Sequence, residues 1–181
     1  MDPHTIIASL QEAVPGAAIE GAASVDRHAT VYVSRDDVHA VALALRDRPE
    51  LAFDLLAEVT AADVWPREPR FELIYILVSL AHRARLRLKV RLHGDDAHVA
   101  TVSDVWPSAN WPEREVWDLF GITFDGHPDP RRLLMPEDWE GFPLRKDYPV
   151  QIRMRPTSSE ALQVTEQEFR ANVEHDRLAR K

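Results

Sequence analysis

From Arg83 to Leu92 the chain alternates strictly. Arg83, Arg85, Arg87, Lys89 and Arg91 are separated by Ala84, Leu86, Leu88 and Val90. A period of two is the side-chain period of a β-strand, so the cations line one face and the apolar residues the other. A helix would scatter the same residues around its circumference. The segment predicts a strand over 84–92 in a sheet with one covered face. Its basic face has two readings. One is an electropositive surface for an acidic partner. The other, more ordinary, is a solvated row paired across the sheet with Asp54, Glu58 and Glu72, each pair worth ~0.2–1 kcal/mol. The row has no interleaved aromatics on which bases could stack, which argues against nucleic acid.

Two further candidate strands, 51–60 and 71–80, precede it, joined by a loop from Ala61 to Arg70 containing Trp65-Pro66 and Pro69. Upstream, Asp2-Pro3 caps a helix whose buried side is Ile6, Ile7, Leu10, Ala13 and Val14, stopped by Pro15-Gly16. Short strands at 17–23 and 29–33 flank a turn at Asp26-Arg27-His28. Ser34 with Asp37 has capping-box spacing ahead of a helix with the stripe Val38, Val41, Ala42 and Leu45, ending before Pro49. Gly94-Asp95-Asp96 turns the chain, and after Val99 the pattern becomes helical. Asn110 is placed as the N-cap of that helix with Glu113 reaching back to its free amide. Val116, Trp117 and Phe120 form its apolar side, and Gly121 supplies the left-handed residue that closes it.

The fold class expected is α+β: a small antiparallel or mixed sheet with helices packed on it, followed by a proline-rich extended C-terminal arm. The expected division is an α+β domain over 1–100, a signature helix with partner-binding loops over 101–149, and an arm over 150–181. That arm ends in a short helix begun by Thr165 and Glu168, with Phe169, Val173 and Leu178 as a thin apolar stripe.

Composition removes several functions. With no cysteine there are no disulfides, thiolate metal sites or cysteine-ligated iron–sulfur clusters. A net charge of −8 opposes non-specific nucleic-acid binding. The longest apolar run, Leu73–Val78, is far short of the ~20 residues of a spanning helix. The N-terminus has no basic region followed by an apolar core. The chain reads as cytoplasmic, reaching a membrane only through partners.

The densest stretch runs from Glu113 to Pro149, EREVWDLFGITFDGHPDPRRLLMPEDWEGFPLRKDYP. Glu115-x-x-Asp118 puts two carboxylates on one helix face, as a di-metal bundle needs, but the chain has no Glu-x-x-His to complete it. Arg114 can pair with Asp118 one turn on, worth ~0.3–0.5 kcal/mol if exposed. His127 and Asp129 form a potential acid–base or metal pair, with Arg131 and Arg132 to hold an anion. No nucleophile and no glycine-rich cradle accompanies them. A structural role is favoured, with His127 bonded to backbone in a proline-braced turn and the arginines bidentate to carboxylates. Arg145, Lys146, Asp147 and Tyr148 are presented by rigid turns, and Arg, Tyr and Trp on a stiff backbone are common interface anchors. The expected partner interface is therefore Glu113, Arg114, Glu115, Asp118, His127, Asp129, Arg131, Arg132, Arg145, Lys146, Asp147 and Tyr148, with no catalytic, cofactor-binding or metal residue.

The run ANWPEREVWDLFGITFDGHPDPRRLLMPEDWEGFPLRKDYP resembles the signature of the 30 kDa subunit family, the C subunit of respiratory complex I, the proton-pumping NADH:quinone oxidoreductase. The match to E-R-E-x-x-D-x-F-G-I-x-F-x-G-H-P-D-x-R-R is long and dense. It is strong from Phe71 to Arg155, weaker before that, and lost past Thr157. The resemblance implies a peripheral-arm subunit at the cytoplasmic face of the inner membrane that binds no cofactor itself. NADH, FMN, iron–sulfur clusters and quinone would belong to partner subunits. The implied partners are the quinone-site D subunit and the cluster-bearing B subunit. The reading of the stretch as an interface predicts that Asp118→Ala or Arg145→Ala harms assembly more than the isolated fold. The rival within the superfamily is the equivalent subunit of a membrane-bound hydrogenase or another donor-linked quinone reductase. From another class, His93, His98, His127 and Asp129 would serve a metal-dependent hydrolase.

Overall fold

A five-stranded mixed sheet carries the fold. The computed structural model describes residues 3–24, 26, 28–149, 165 and 167. The elements are α1 (Pro3–Ala13), β1 (Ile19–Ala22), β2 (Ala29–Val33), α2 (Val38–Asp47), β3 (Leu55–Asp63), β4 (Phe71–Ser79), β5 (Ala84–Leu92), β6 (His98–Ala100), α3 (Asn110–Phe120) and β7 (Thr123–Asp125). Short 3-10 turns at Arg35–Asp37 and Pro107–Ala109 precede α2 and α3. The chain divides into two compact units, 1–148 and 149–181, and every one of these elements lies in the first. The expected terminal helix over Thr165–Leu178 falls outside the described residues.

The sheet order is β1-β2-β5-β4-β3. β3, β4 and β5 form an antiparallel meander, β1–β2 is an antiparallel hairpin, and the two halves join through the parallel pair β2–β5. The alternation that identified β5 is obeyed: Ala84, Leu86, Leu88, Val90 and Leu92 are buried. They share one core with Phe71, Leu73, Tyr75 and Leu77 of β4, Ile6 and Leu10 of α1, Val38, Val41, Ala42 and Leu45 of α2, and Val116 and Phe120 of α3. Burying a Val, Leu, Ile or Phe is worth ~1.5–3 kcal/mol, so this cluster is what holds the sheet and its helices together.

On the other face of β5, Lys89 meets Glu72 at 2.8 Å as expected. The remaining partners differ. Arg87 pairs with Asp26 at 2.6 Å and Arg91 with Glu20 at 3.4 Å. Asp54 instead accepts the Leu80 N–H, and Glu58 lies opposite Ile76. Arg83 stands outside the strand, in the β4–β5 turn at φ 51°.

Three local expectations are corrected. β3 runs over 55–63 rather than 51–60, because Leu51 and Phe53 are buried before the strand begins and so imitate its inward positions. Ser34 forms no side-chain cap, and the Asp37 carboxylate accepts the Ala18 N–H at 3.1 Å, tying α2 to the start of β1. The N-cap of α3 is Ala109, since the preceding 3-10 turn already carries the chain into helical geometry and places Asn110 inside it. Gly121 closes α3 at φ 73°, as its position predicts. The pair β6–β7, two parallel three-residue strands, was not anticipated.

Candidate partner-binding site

The buried side of α3 carries three charges, Glu113, Arg114 and Asp118, beside Val116 and Phe120. Buried charges are costly unless paired or hydrogen-bonded, so their partners define the local architecture.

Asp118 is fully buried and organises the chain that follows. Its Oδ1 receives the Arg132 guanidinium at 2.7 Å, and its Oδ2 accepts the backbone N–H groups of Leu133 (3.1 Å), Leu134 (2.7 Å) and Met135 (2.8 Å). Burial alone would raise this carboxyl; the three N–H groups and Arg132 together hold it below the ordinary aspartate value. Arg132 also donates to the Trp139 carbonyl at 2.9 Å, so it is not bidentate to a carboxylate. Asp118 therefore supports the chain's own structure.

Arg114 does not pair with Asp118. It donates to the carbonyls of Arg131 (3.0 Å) and Arg132 (3.1 Å), meets Asp129 at 3.1 Å and lies over the Trp111 ring at 4.9 Å. Asp129 is held in turn by Arg131 in a bidentate contact at 2.6 and 2.8 Å. His127 accepts the Asp129 N–H on Nδ1 at 3.0 Å and donates from Nε2 to the Asn110 carbonyl at 3.1 Å, which assigns the Nε2–H tautomer. Glu113 does not reach back to the start of α3. It accepts the Val102 N–H at 2.9 Å and meets the Thr101 hydroxyl.

A second node lies at the other end of the segment. Arg70 grips Asp63 at 2.8 and 3.1 Å and Asp147 at 2.6 and 2.9 Å, and Asp63 also accepts the Lys146 N–H at 2.8 Å. Burial works to raise the Asp63 carboxyl, but Arg70 and the N–H groups of Lys146 and Trp65 outweigh it and hold it down at about 2. Arg145 donates to the Phe120 carbonyl at 2.6 Å and stacks over Phe142 and Phe71. Tyr148 donates to the Glu140 carbonyl at 3.1 Å and packs its ring on Trp139.

Most of the anticipated residues are thus spent inside the chain. Glu115, Arg131, Lys146 and Asp147 are exposed, and Tyr148 is half-buried. Beside these charged groups, three large apolar side chains are also turned outward: Trp111 is 60% exposed, Leu134 60% and Leu144 50%. Sequence reasoning passed over these three, along with Asp63, Arg70, Thr101 and Trp139. The one signal was that Asp63 and Arg70 bracket the proline loop. Glu115 is exposed and Asp118 buried, so they share no site. His93 meets Glu68, His98 meets Asp96 and Asp125, and His127 meets Glu113. Among the described residues no group of three or more His, Asp and Glu side chains could hold a metal ion, and no helix is long and apolar enough to cross a membrane.

Residues 31–153 match the family described as respiratory-chain NADH dehydrogenase, 30 Kd subunit. The chain belongs to that family. It is 45% identical over 150 residues to the C subunit of the NADH-quinone oxidoreductase of Roseiflexus sp. (strain RS-1), an alignment covering 83% of this chain and 86% of the relative. Its fold is similar to that of the trypsin-resistant fragment (1-134) of Nqo5, with a TM-score of 0.57 and 32% identity, over 71% of this chain and 99% of the fragment. It is also similar to a chain of the membrane-bound sulfane sulfur reductase, an archaeal respiratory membrane complex. There the TM-score is 0.67 and identity 30%, over 81% of this chain and 85% of that one. Chains of this fold thus occur in respiratory complexes of more than one named chemistry.

Proposed function

We propose that this chain is the scaffold subunit of the peripheral arm of NADH:quinone oxidoreductase. It carries no cofactor itself, and it positions the quinone-site D subunit, near the cluster-bearing B subunit, on the cytoplasmic face of the inner membrane. One observation carries the reading. The buried charges Glu113, Arg114 and Asp118 are consumed in holding that segment in place, and Trp111, Leu134 and Leu144 stand outside on a pre-organised backbone. Large apolar anchors on a fixed backbone bind with little ordering cost, which suits a part that keeps electron carriers in register. The exposed Glu115, Arg131, Lys146 and Asp147 would form a polar rim around them.

The likeness to the sulfane sulfur reductase chain favours a second reading, the equivalent subunit of a related respiratory complex with a different donor. A tagged chain recovered from native membranes in mild detergent separates the two. Co-elution with flavin- and cluster-bearing subunits and NADH:quinone activity supports the first. Co-elution with a nickel-bearing large subunit, or with a complex that does not oxidise NADH, supports the second. A chain that elutes alone overturns both.

A further inference from the structure

Arg114 and Asp118 are matched by opposite charge; Glu113 is not. Its side chain is fully buried and is reached by the Val102 N–H on Oε1 and the Thr101 hydroxyl on Oε2. Among the described residues no lysine or arginine pairs with it. The titratable groups that face it come from four places. β4 presents Tyr75, wholly buried, with a hydroxyl that has no hydrogen-bond partner. The turn after β6 presents Asp104. The loop after β7 presents His127, whose Nε2 lies 3.8 Å from Oε2. Arg114, on α3 itself, helps line a cavity of about 40 Å³ that Glu113 and His127 share. Such a space, with polar groups on its wall, accommodates a water molecule, whose share of liquid volume is ~30 Å³.

The hydroxyl network distinguishes the two charge states of Glu113. Thr101 Oγ1 lies 2.9 Å from Ser103 Oγ and accepts the Ser103 N–H at 3.1 Å. A protonated Glu113 donates from Oε2 to Thr101, Thr101 donates on to Ser103, and Oε1 keeps the Val102 N–H, so the Glu113, Thr101 and Val102 hydrogens are all placed. An ionised Glu113 takes the Thr101 hydrogen for itself, Ser103 Oγ loses its donor, and a negative charge is left in the core without a cation.

We propose that Glu113 is a buried proton-binding site of the folded subunit, linked through the small cavity and one water molecule to His127. Burial is the main cause that pushes this carboxyl up to about 7, with Asp104 adding to it, against the lowering contacts of Thr101 and Val102. His127 Nε2–H is held by the Asn110 carbonyl. Ionisation of Glu113 competes for that hydrogen, and His127 also anchors the Asp129 N–H. The proton on Glu113 thereby communicates with the Gly126–Asp129 turn that opens the docking segment. The site belongs to the chain itself and does not depend on which complex receives it.

The test is a side-chain carboxyl ¹³C NMR titration of the full chain labelled at glutamate, with the Glu113 resonance identified by its loss in Glu113→Gln. The expected midpoint lies near 7, a proton affinity roughly 300-fold above an ordinary glutamate. A His127 ring resonance should show an inflection at the Glu113 midpoint, and that inflection should be absent in Glu113→Gln. If that variant does not fold, Glu113→Asp assigns the resonance by the same loss from the glutamate-labelled spectrum. A midpoint in the ordinary carboxylate range, or a His127 resonance blind to the transition, overturns the proposal while leaving the docking surface untouched.

Discussion

Asp118 and Arg132 stand fourteen residues apart and meet at 2.7 Å, with the aspartate wholly buried and the arginine partly so. The same carboxylate collects three successive backbone N–H groups from Leu133, Leu134 and Met135. A single side chain on α3 thus fixes where the segment after β7 turns and how it presents Leu134. Removing one partner of a buried, hydrogen-bonded pair costs ~3–5 kcal/mol, because the other charge and the N–H groups are left unmatched. Asp118→Ala should lower the unfolding free energy of the full chain, read from urea titration, by that amount. A variant within ~1 kcal/mol of the parent would show that the carboxylate is dispensable.

The Asp63–Arg70–Asp147 node predicts acid lability. The folded Asp63 carboxyl sits at about 2, below its ordinary 3.8, so its stabilisation is complete above that ordinary value and is lost as the pH falls through about 2. The difference corresponds to ~2 kcal/mol. Asp63→Asn should flatten the decline in thermal midpoint over this window and leave a lower, less pH-sensitive plateau. A parent-like acid limb in the variant would assign the lability to another group.

Gly121 combines a left-handed backbone with crowding. A Cβ there would lie 2.5 Å from the Phe142 ring and 2.7 Å from the Arg145 guanidinium. Gly121→Ala should cost ~1–2 kcal/mol from the backbone alone, and more from displacing both neighbours. Differential scanning calorimetry of the full chain reads this directly, and an unchanged midpoint would mean that the turn relaxes freely.

The exposed anchors make the opposite prediction. Leu134→Asp changes a side chain that is 60% exposed, and surface substitutions usually stay within ~0.5 kcal/mol of the parent stability. Affinity for the quinone-site subunit should fall by ~2 kcal/mol or more, roughly 30-fold, as for an interface hot spot. Titration of purified partners checks it, and undiminished affinity would place the interface elsewhere.

Elements with a strong local period were legible in the sequence. β5 announced itself by alternation, and α3 closed at Gly121 because only a residue without Cβ sits easily at that φ. Features set by distant contacts were not legible. Arg70 and Asp147 meet across 77 residues, and nothing in either neighbourhood encodes the other. β6 and β7 are three residues each, too short for periodicity to register. The charges of the signature stretch read naturally as outward-facing because charged residues usually are. Here burial reverses the inference for Glu113, Arg114 and Asp118, which are turned into the chain.

The parallel pairing of β2 with β5 has a consequence for synthesis. The helix–hairpin–helix of the first 47 residues leaves the ribosome first, yet β2 has no sheet to join until β5, ending at Leu92, has been made. The meander from β3 to β5 is local and can zip as it emerges, whereas closing β2 on β5 demands a loop of more than fifty residues. Residues 3–47 therefore wait with the β2 edge unpaired, and this interval is when a nascent subunit most needs a chaperone's protection.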